Sequence, residues 1–205
     1  MQDILVATVI HDLKNELGIL TGSLSTMVEG AAGTSMEAQA RHSYAIAAKL
    51  SQNLVSFLTL YRADSRGLTV RPMDHNPEDF IRDLVTELVL AADGPRVSVD
   101  MAEPVASFWF YDAYLVQMAI DAAVQNAVRF ARSTVTLSAR MREGYLVFVV
   151  EDDGAGLGAA SAPSTGLGTV LCCAIAEAHR NGSRAGRVAL KNRPEGGAAF
   201  EMWLP

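Results

Sequence analysis

Two apolar stripes at helical spacing, parted by a short glycine-bearing break, restrict this chain more than any other feature. Between residues 3 and 29, Leu5, Val9, Leu13, Leu17, Leu20, Leu24 and Met27 recur at intervals of three and four, the pattern of an amphipathic helix. The break is Gly30-Ala-Ala-Gly33. Thr34 or Ser35 then caps a second helix, with Glu37 in its first turn. Its apolar positions, among them Ala40, Tyr44, Ala47, Leu50, Leu54, Phe57, Leu58 and Tyr61, carry it to about Ala63. Long amphipathic helices joined by a short turn form a hairpin. A two-helix hairpin buries its stripe poorly alone, and a homodimeric four-helix bundle is the natural solution. The alternative is packing against the rest of its own chain.

His11 sits in the first helix but off the stripe. Its face carries Thr8, Asn15, Gly18 and Gly22, all small or polar. The imidazole is therefore expected to point outward, with the carboxylate of Asp12 beside it and the amide of Asn15 one turn on. Taken alone, this fits a solvated surface histidine as well as an accessible nucleophile with a neighbouring base. The run His11-Asp12-Leu13-Lys14-Asn15 resembles the H-box of sensor histidine kinases: His, an acid, two residues, then Asn or Thr. The resemblance implies that His11 is phosphorylated by ATP and that the phosphoryl group passes to an Asp on a response-regulator receiver domain. It also implies a helper role for Asp12, and for Asn15 a role in dephosphorylating the receiver by positioning a water.

Composition narrows the partners. The 205 residues are half hydrophobic and carry 17 Lys plus Arg against 23 Asp plus Glu, a net charge of −6. An acidic chain without a basic run argues against nucleic acid as the main partner. No apolar stretch reaches bilayer-spanning length, and no signal peptide is visible at the N-terminus. Cys172 and Cys173 are adjacent and have no metal-ligand spacing. They read as core residues in a reducing compartment, so the expected location is cytoplasmic.

Asp64-Ser-Arg-Gly67 divides the chain. The resemblance to sensor histidine kinases implies a dimerisation and phosphotransfer hairpin over 1–65 and an ATP-binding catalytic domain over 66–205. In the second part the pattern predicts strands at 68–73, 97–101 and 107–110. It predicts a helix from Asn76-Pro77 to about residue 92 and another from Asp112 to about Phe130. Hairpins follow at 134–140 with 145–150 and at 187–191 with 198–204, and a helix spans about 168–178. Strands and helices in this order give an α+β fold, an α/β sandwich behind the helical hairpin.

Three motifs in this half point to a nucleotide. Asn126 and Arg129 lie three apart on one helix face. An amide oxygen can ligate Mg2+ that also holds phosphate, and a guanidinium can pair with phosphate directly; the polar face of an amphipathic helix would look the same. Next, Val149-Val-Glu-Asp152-Asp153-Gly154-Ala-Gly156-Leu157 follows a buried strand. Its glycines permit close backbone approach to a ligand. Asp152 can accept a hydrogen bond from an exocyclic amino group, which adenine has and guanine replaces with a carbonyl. Finally, Gly166-Leu-Gly168-Thr169 opens a helix, whose N–H groups suit phosphate. There is no P-loop, and Gly154-x-Gly156 does not lead into a helix as a dinucleotide fingerprint would.

The ordered set resembles the N, G1 and G2 boxes of the ATPase fold shared by histidine kinases, Hsp90, gyrase and MutL, and Gly196 to Pro205 resembles the closing strand of the kinases. This implies Asn126 on Mg2+, Arg129 on phosphate, Asp152 on adenine, and Gly154, Gly156, Gly166 and Gly168 shaping the pocket. Three features depart from the pattern. Ala122 stands where the N-box usually has a further Asn, the segment from Gly158 to Ser164 is very short, and no F-box is present. Ala122 and the short segment favour the alternative of an ATP-independent histidine phosphotransfer adaptor. The chain starts ten residues before His11 without a sensor domain, so either a longer sensor or a separate sensor protein is expected to supply the signal.

Overall fold

The computed structural model describes residues 2–91, 95–158 and 166–205, without the side chains of 2–11, 62, 64–66 and 87–91. The backbone divides into two compact units, Met1–Arg62 and Ala63–Pro205.

The first unit holds α1 (Gln2–Ala31) and most of α2 (Glu37–Arg66). Gly33, at φ +73°, takes the left-handed conformation that ends α1. Its N–H donates to Glu37 Oε2 at 2.7 Å, while the Thr34 hydroxyl accepts from the Met36 N–H at 3.3 Å. Arg41 pairs with Glu37 one turn on at 3.0 Å. The Gly33 N–H, and then Arg41, hold the Glu37 carboxyl below its ordinary range. Along α2, Ala40, Ala47 and Ser56 are buried. The larger apolar residues of the two stripes are not: Leu13, Leu20, Met27, Tyr44, Leu50 and Phe57 are 37–59% exposed. In a single chain, then, the face assigned to a core lies largely open.

The second unit is a two-layer sandwich. Its sheet has five strands in the order β2 (Arg96–Val99), β4 (Thr134–Arg142), β5 (Tyr145–Asp152), β9 (Ala198–Leu204), β8 (Arg187–Asn192). Only β2 and β4 run parallel. Helices α3 (Pro77–Ala91), α4 (Ala113–Phe130) and α5 (Leu167–Ala178) pack on the sheet. Ile81, Leu84, Val116, Ile120, Val124, Leu171 and Ile175 bury against Leu137, Leu146, Phe148, Met202 and Leu204, the largest favourable term in such a fold. Strand β5 is buried from Leu146 to Val150 without alternation. On its other face, the β9 residues beside Val147 and Val149 are Trp203 and Glu201. Glu201 is itself buried and receives Arg140 at 2.9 Å and Lys191 at 2.6 Å. Burial pushes its carboxyl up, but the hydrogen bonds and charges of Lys191, Trp203 and Arg140 bring it below the ordinary value.

Several expected boundaries move. The first strand of this half is not 68–73 but β1 (Met73–His75), which pairs with β3 (Trp109–Tyr111) in a separate two-stranded sheet. Pro72 has no N–H to give a ladder, and the strand begins just after it. β2 stops at Val99 because Asp100 Oδ1 turns the chain by accepting the Ala102 N–H at 3.0 Å. A short hairpin, β6 (Arg180–Asn181) with β7 (Arg184–Ala185), adds to the expected elements; two-residue strands carry no readable period.

His179 reads from sequence as a surface or capping residue; it is the C-cap of α5, its N–H donating to the Ala176 carbonyl at 3.0 Å, but it is buried and not on the surface. It follows α5, with Nδ1 at 2.8 Å from the Ile175 carbonyl, while Nε2 lies 3.1 Å from the Asp112 N–H that opens α4. These partners fix the neutral tautomer with the proton on Nδ1. Burial lowers the His179 pKa below 6.5. The unfolded chain then binds the proton first, so this contribution is complete above about pH 6.5 and fades as pH falls towards the lowered folded value. Thermal melts at pH 7.5 and 5.5 are expected to show this loss in the wild type and a smaller one in His179→Gln; equal losses would refute the assignment.

Candidate nucleotide site

The site is assembled from α4, α5 and the strands β5, β8 and β9. Helix α4 starts at Asp112, whose Oδ1 caps Leu115 N–H at 3.2 Å and whose Oδ2 accepts Arg71 N–H at 2.9 Å. Its buried ridge of Val116, Ala119, Ile120, Ala123, Val124 and Ala127 leaves Asn126 and Arg129 exposed.

Strand β5 ends in two adjacent carboxylates with different partners. Asp152, 6% exposed, accepts the N–H groups of Gly154 at 2.8 Å and Ala198 at 3.3 Å, both on Oδ1. Among the described residues Oδ2 has no hydrogen-bond partner, so a buried residue keeps one strong acceptor in reserve. Asp153 is fully engaged: it accepts the Arg132 N–H at 2.8 Å, the Ser133 N–H at 3.0 Å and the Ser133 hydroxyl at 2.6 Å. The Ser133 hydroxyl and N–H hold its carboxyl far below the ordinary value.

The glycines serve close approach. A Cβ on Gly154 would strike the Phe130 carbonyl oxygen. Gly156, at φ +83°, would meet Asn192 Oδ1 at 2.7 Å, and that oxygen accepts the Leu157 N–H at 2.6 Å. Gly166, left-handed at φ +67°, is the N-cap of α5. The first N–H groups of a helix have no intrahelical partners. A Cβ on Gly168 would lie 3.6 Å from the Ala122 methyl and 3.7 Å from Asn126 Nδ2. This small-residue contact brings α5 against α4.

These elements enclose a cavity of about 220 Å³ lined by α4 (Ala123, Asn126, Ala127, Phe130), β5 (Val150, Asp152), Leu157, α5 (Thr169, Cys172), β8 (Leu190) and β9 (Ala198, Phe200). Apolar walls with a few polar groups are the usual make-up of a small-molecule site. Of the residues singled out in the sequence, Asn126 and Asp152 line it; Gly154, Gly156, Gly166 and Gly168 do not, though Gly154 lies against Phe130 and Gly168 near Asn126, which do. Arg129 does not line it; its guanidinium lies 5.2 Å from the Phe130 ring centroid. Residues 159–165, the short segment between the glycine motifs, lie outside the described residues. His11, Asp12 and Asn15 are on α1 in the other unit, where Asp12 and Asn15 are exposed; the His11 side chain is outside the description.

The apolar walls escaped the sequence reading. Val150, Phe200 and Leu190 sit opposite one another across β5, β9 and β8, and strand alternation was the signal that could have placed them. Cys172 also lines the cavity. Burial pushes its thiol up to about 12, and Sγ lies 3.3 Å from the Ala119 carbonyl, so it is a wall and not a nucleophile.

Residues 111–205 match the family described as Histidine kinase-, DNA gyrase B-, and HSP90-like ATPase. The whole chain aligns at 25% identity with Sensor protein KdpD of Escherichia coli strain K12. Over 98% of its length it aligns at 21% with Sensor protein KdpD of Clostridium acetobutylicum. It spans 24% of the length of each of these relatives. Among solved structures, the histidine kinase AdeS of Acinetobacter baumannii superposes with a TM-score of 0.64 at 18% identity, covering 95% of this chain and 96% of that one. Full-length ShkA in complex with AMPPNP gives 0.71 at 18% identity, over 98% of this chain and 45% of that one. At such identities the structures speak for the fold. Together the comparisons support a sensor histidine kinase catalytic core.

Asp153 yields a direct test. Its depressed pKa means that its stabilisation is present above the ordinary value near 3.8 and is lost as pH falls through the lowered folded value. Asp153→Ala is expected to melt below the wild type at pH 7, with the gap closing below about pH 4; coincident melts at pH 7 would remove it from the scaffold.

Proposed function

We propose that this chain is a histidine autokinase: the second unit binds ATP, His11 takes the γ-phosphoryl group, and a response-regulator aspartate receives it. The observation that carries the reading is Asp152. Its carboxylate is held at Oδ1, offers Oδ2, and stands in an apolar-walled cavity shared with Asn126. A donor such as the adenine amino group satisfies Oδ2, whereas a guanine carbonyl opposes it. Phe130, Leu157, Leu190 and Phe200 supply surfaces for a purine. The α5 N-terminus and Arg129 suit phosphates.

A magnesium ion fits this donor set. No group of three or more His, Cys, Asp or Glu that could hold a metal occurs among the described residues, and Mg2+ commonly takes few protein ligands, with water and phosphate oxygens completing its shell. Asn126 would hold it, and when bound it would offset phosphate charge. On α1, Asp12 orients the His11 imidazole or takes its proton, so that the free nitrogen attacks the γ-phosphorus of ATP while the bond from that phosphorus to the β–γ bridging oxygen breaks and ADP leaves with the electron pair. Asn15 lies one turn from His11 on the same helix, where it can position a water for dephosphorylation of the regulator. The apolar face left open on α1 and α2 supports a homodimeric four-helix bundle as the setting. The sensor is either a further part of a longer chain or a separate protein.

Assays of the wild type and three variants, each with ATP and with phosphorylated receiver, test the chemistry. His11→Gln is expected to lose all phosphorylation while staying folded. Asn126→Ala should lose labelling from ATP yet still accept phosphate from a phosphorylated receiver, and Asn15→Ala should keep labelling and slow receiver dephosphorylation. Unchanged labelling in Asn126→Ala would remove the metal role. A wild type that labels only from the receiver would establish the adaptor alternative, which Ala122 favours because its methyl offers no ligand.

The bundle is tested separately by light scattering. The wild type is expected to be dimeric at micromolar concentration, and Leu17→Glu or Leu54→Glu monomeric, since an unpaired buried carboxylate is costly. A monomeric wild type would overturn the bundle.

A further inference from the structure

We propose that Arg193 is a positioning residue that sets the choice of base by fixing Asp152. The inference rests on the nucleotide reading above and deepens it. Arg193 lies in the corner between β8 and β9, and its Nη1 donates to the Asp152 carbonyl oxygen at 3.0 Å. Nε is 3.4 Å from Glu151 Oε1, which aims the guanidinium. The corner is stiffened from within: the Arg193 N–H donates to the Gly197 carbonyl at 3.0 Å, and the Gly196 N–H to the Arg193 carbonyl at 3.1 Å. Gly197, at φ +88°, packs so tightly on the same Asp152 carbonyl that a Cβ there would overlap it. The next residue, Ala198, gives its N–H to Asp152 Oδ1.

One corner therefore touches Asp152 at its carbonyl and its carboxylate, and leaves Oδ2 as the presented acceptor. Hydrogen bonds weaken steeply with misalignment, so discrimination by Oδ2 depends on how firmly the carboxylate is aimed. The Arg193 and Glu151 side chains are 26% and 29% exposed. A partly solvated ion pair adds little energy, and the hold lies in the geometry of the hydrogen bond to the carbonyl. The preceding residue, Asn192, acts elsewhere. Its Oδ1 anchors the Leu157 N–H and with it one apolar wall. Aim thus belongs to Arg193 and wall placement to Asn192.

The experiment measures Mg·ATP and Mg·GTP affinities of the 205-residue protein by isothermal titration calorimetry. The wild type should prefer ATP. Arg193→Met, which keeps the stem and deletes the donors, should lower the ATP-to-GTP preference about tenfold, mainly by weakening ATP. Asn192→Ala should weaken both nucleotides by a similar factor and leave their ratio intact. A purely structural Arg193 would lower the melting temperature and keep the ratio; an Arg193 that binds phosphate would weaken both nucleotides equally. Either result overturns the inference, as does an Asn192→Ala ratio that falls as far as that of Arg193→Met. If Arg193→Met does not fold, Glu151→Gln carries the test, with a smaller loss of ratio supporting the inference and none overturning it. A wild type that binds neither nucleotide, or does not prefer ATP, defeats the nucleotide reading itself and the inference with it.

Discussion

Asp153 ties the end of β5 to the chain that follows α4 through two backbone N–H groups and the Ser133 hydroxyl, and the geometry around the cavity depends on that tie. With the backbone fixed on this side, Asp152 is held from the other by Gly154 and Ala198. Two neighbouring carboxylates then divide their work. One is consumed by the scaffold, and the other keeps an oxygen in reserve. A one-residue slip in the register of β5 would exchange these environments, because successive side chains point to opposite faces. Gly154 enforces the arrangement by admitting the Phe130 carbonyl where no Cβ can fit.

Much of this was legible in the sequence. Periodicity gave the two long helices, the caps at Asn76 and Asp112 gave α3 and α4, and the β4–β5 and β8–β9 hairpins fell where alternation and turn residues placed them. The glycine motifs pointed to the strand end and the helix start that border the cavity. What stayed hidden is non-local. Nothing within the run Asp152-Asp153-Gly154 says which carboxylate the scaffold will use, because Ser133 and Ala198 are far away in the chain. The burial of His179 was equally unreadable, since its partner N–H belongs to Asp112. Arg129, chosen for sharing a face with Asn126, has its guanidinium over the Phe130 ring; spacing fixes a face of a helix but not the conformation of a long side chain. The corner at 192–197 looks like an ordinary turn in sequence, and only its contacts with Asp152 set it apart.

The two units satisfy their apolar residues differently. The second closes a core within itself, with helices on one face of the sheet and, on the other, Trp203 and an ion-paired Glu201 beside the β5 valines. The first leaves large side chains uncovered along both helices. The marginal stability of proteins makes that contrast informative: apolar area left in water contributes nothing to holding a helix pair together.

The Asp112 cap bears on where the molecule can be divided. The family match begins at Tyr111, but Asp112 also receives the Arg71 N–H, and Tyr111 pairs with Met73. Cutting at the match would strip away α3 with Ile81 and Leu84, the edge strand β2, and Phe80, whose ring meets Phe148. The second unit as a physical object therefore needs more chain than the segment that matches the family, and the shortest fragment that keeps every partner of Asp112 starts no later than Arg71.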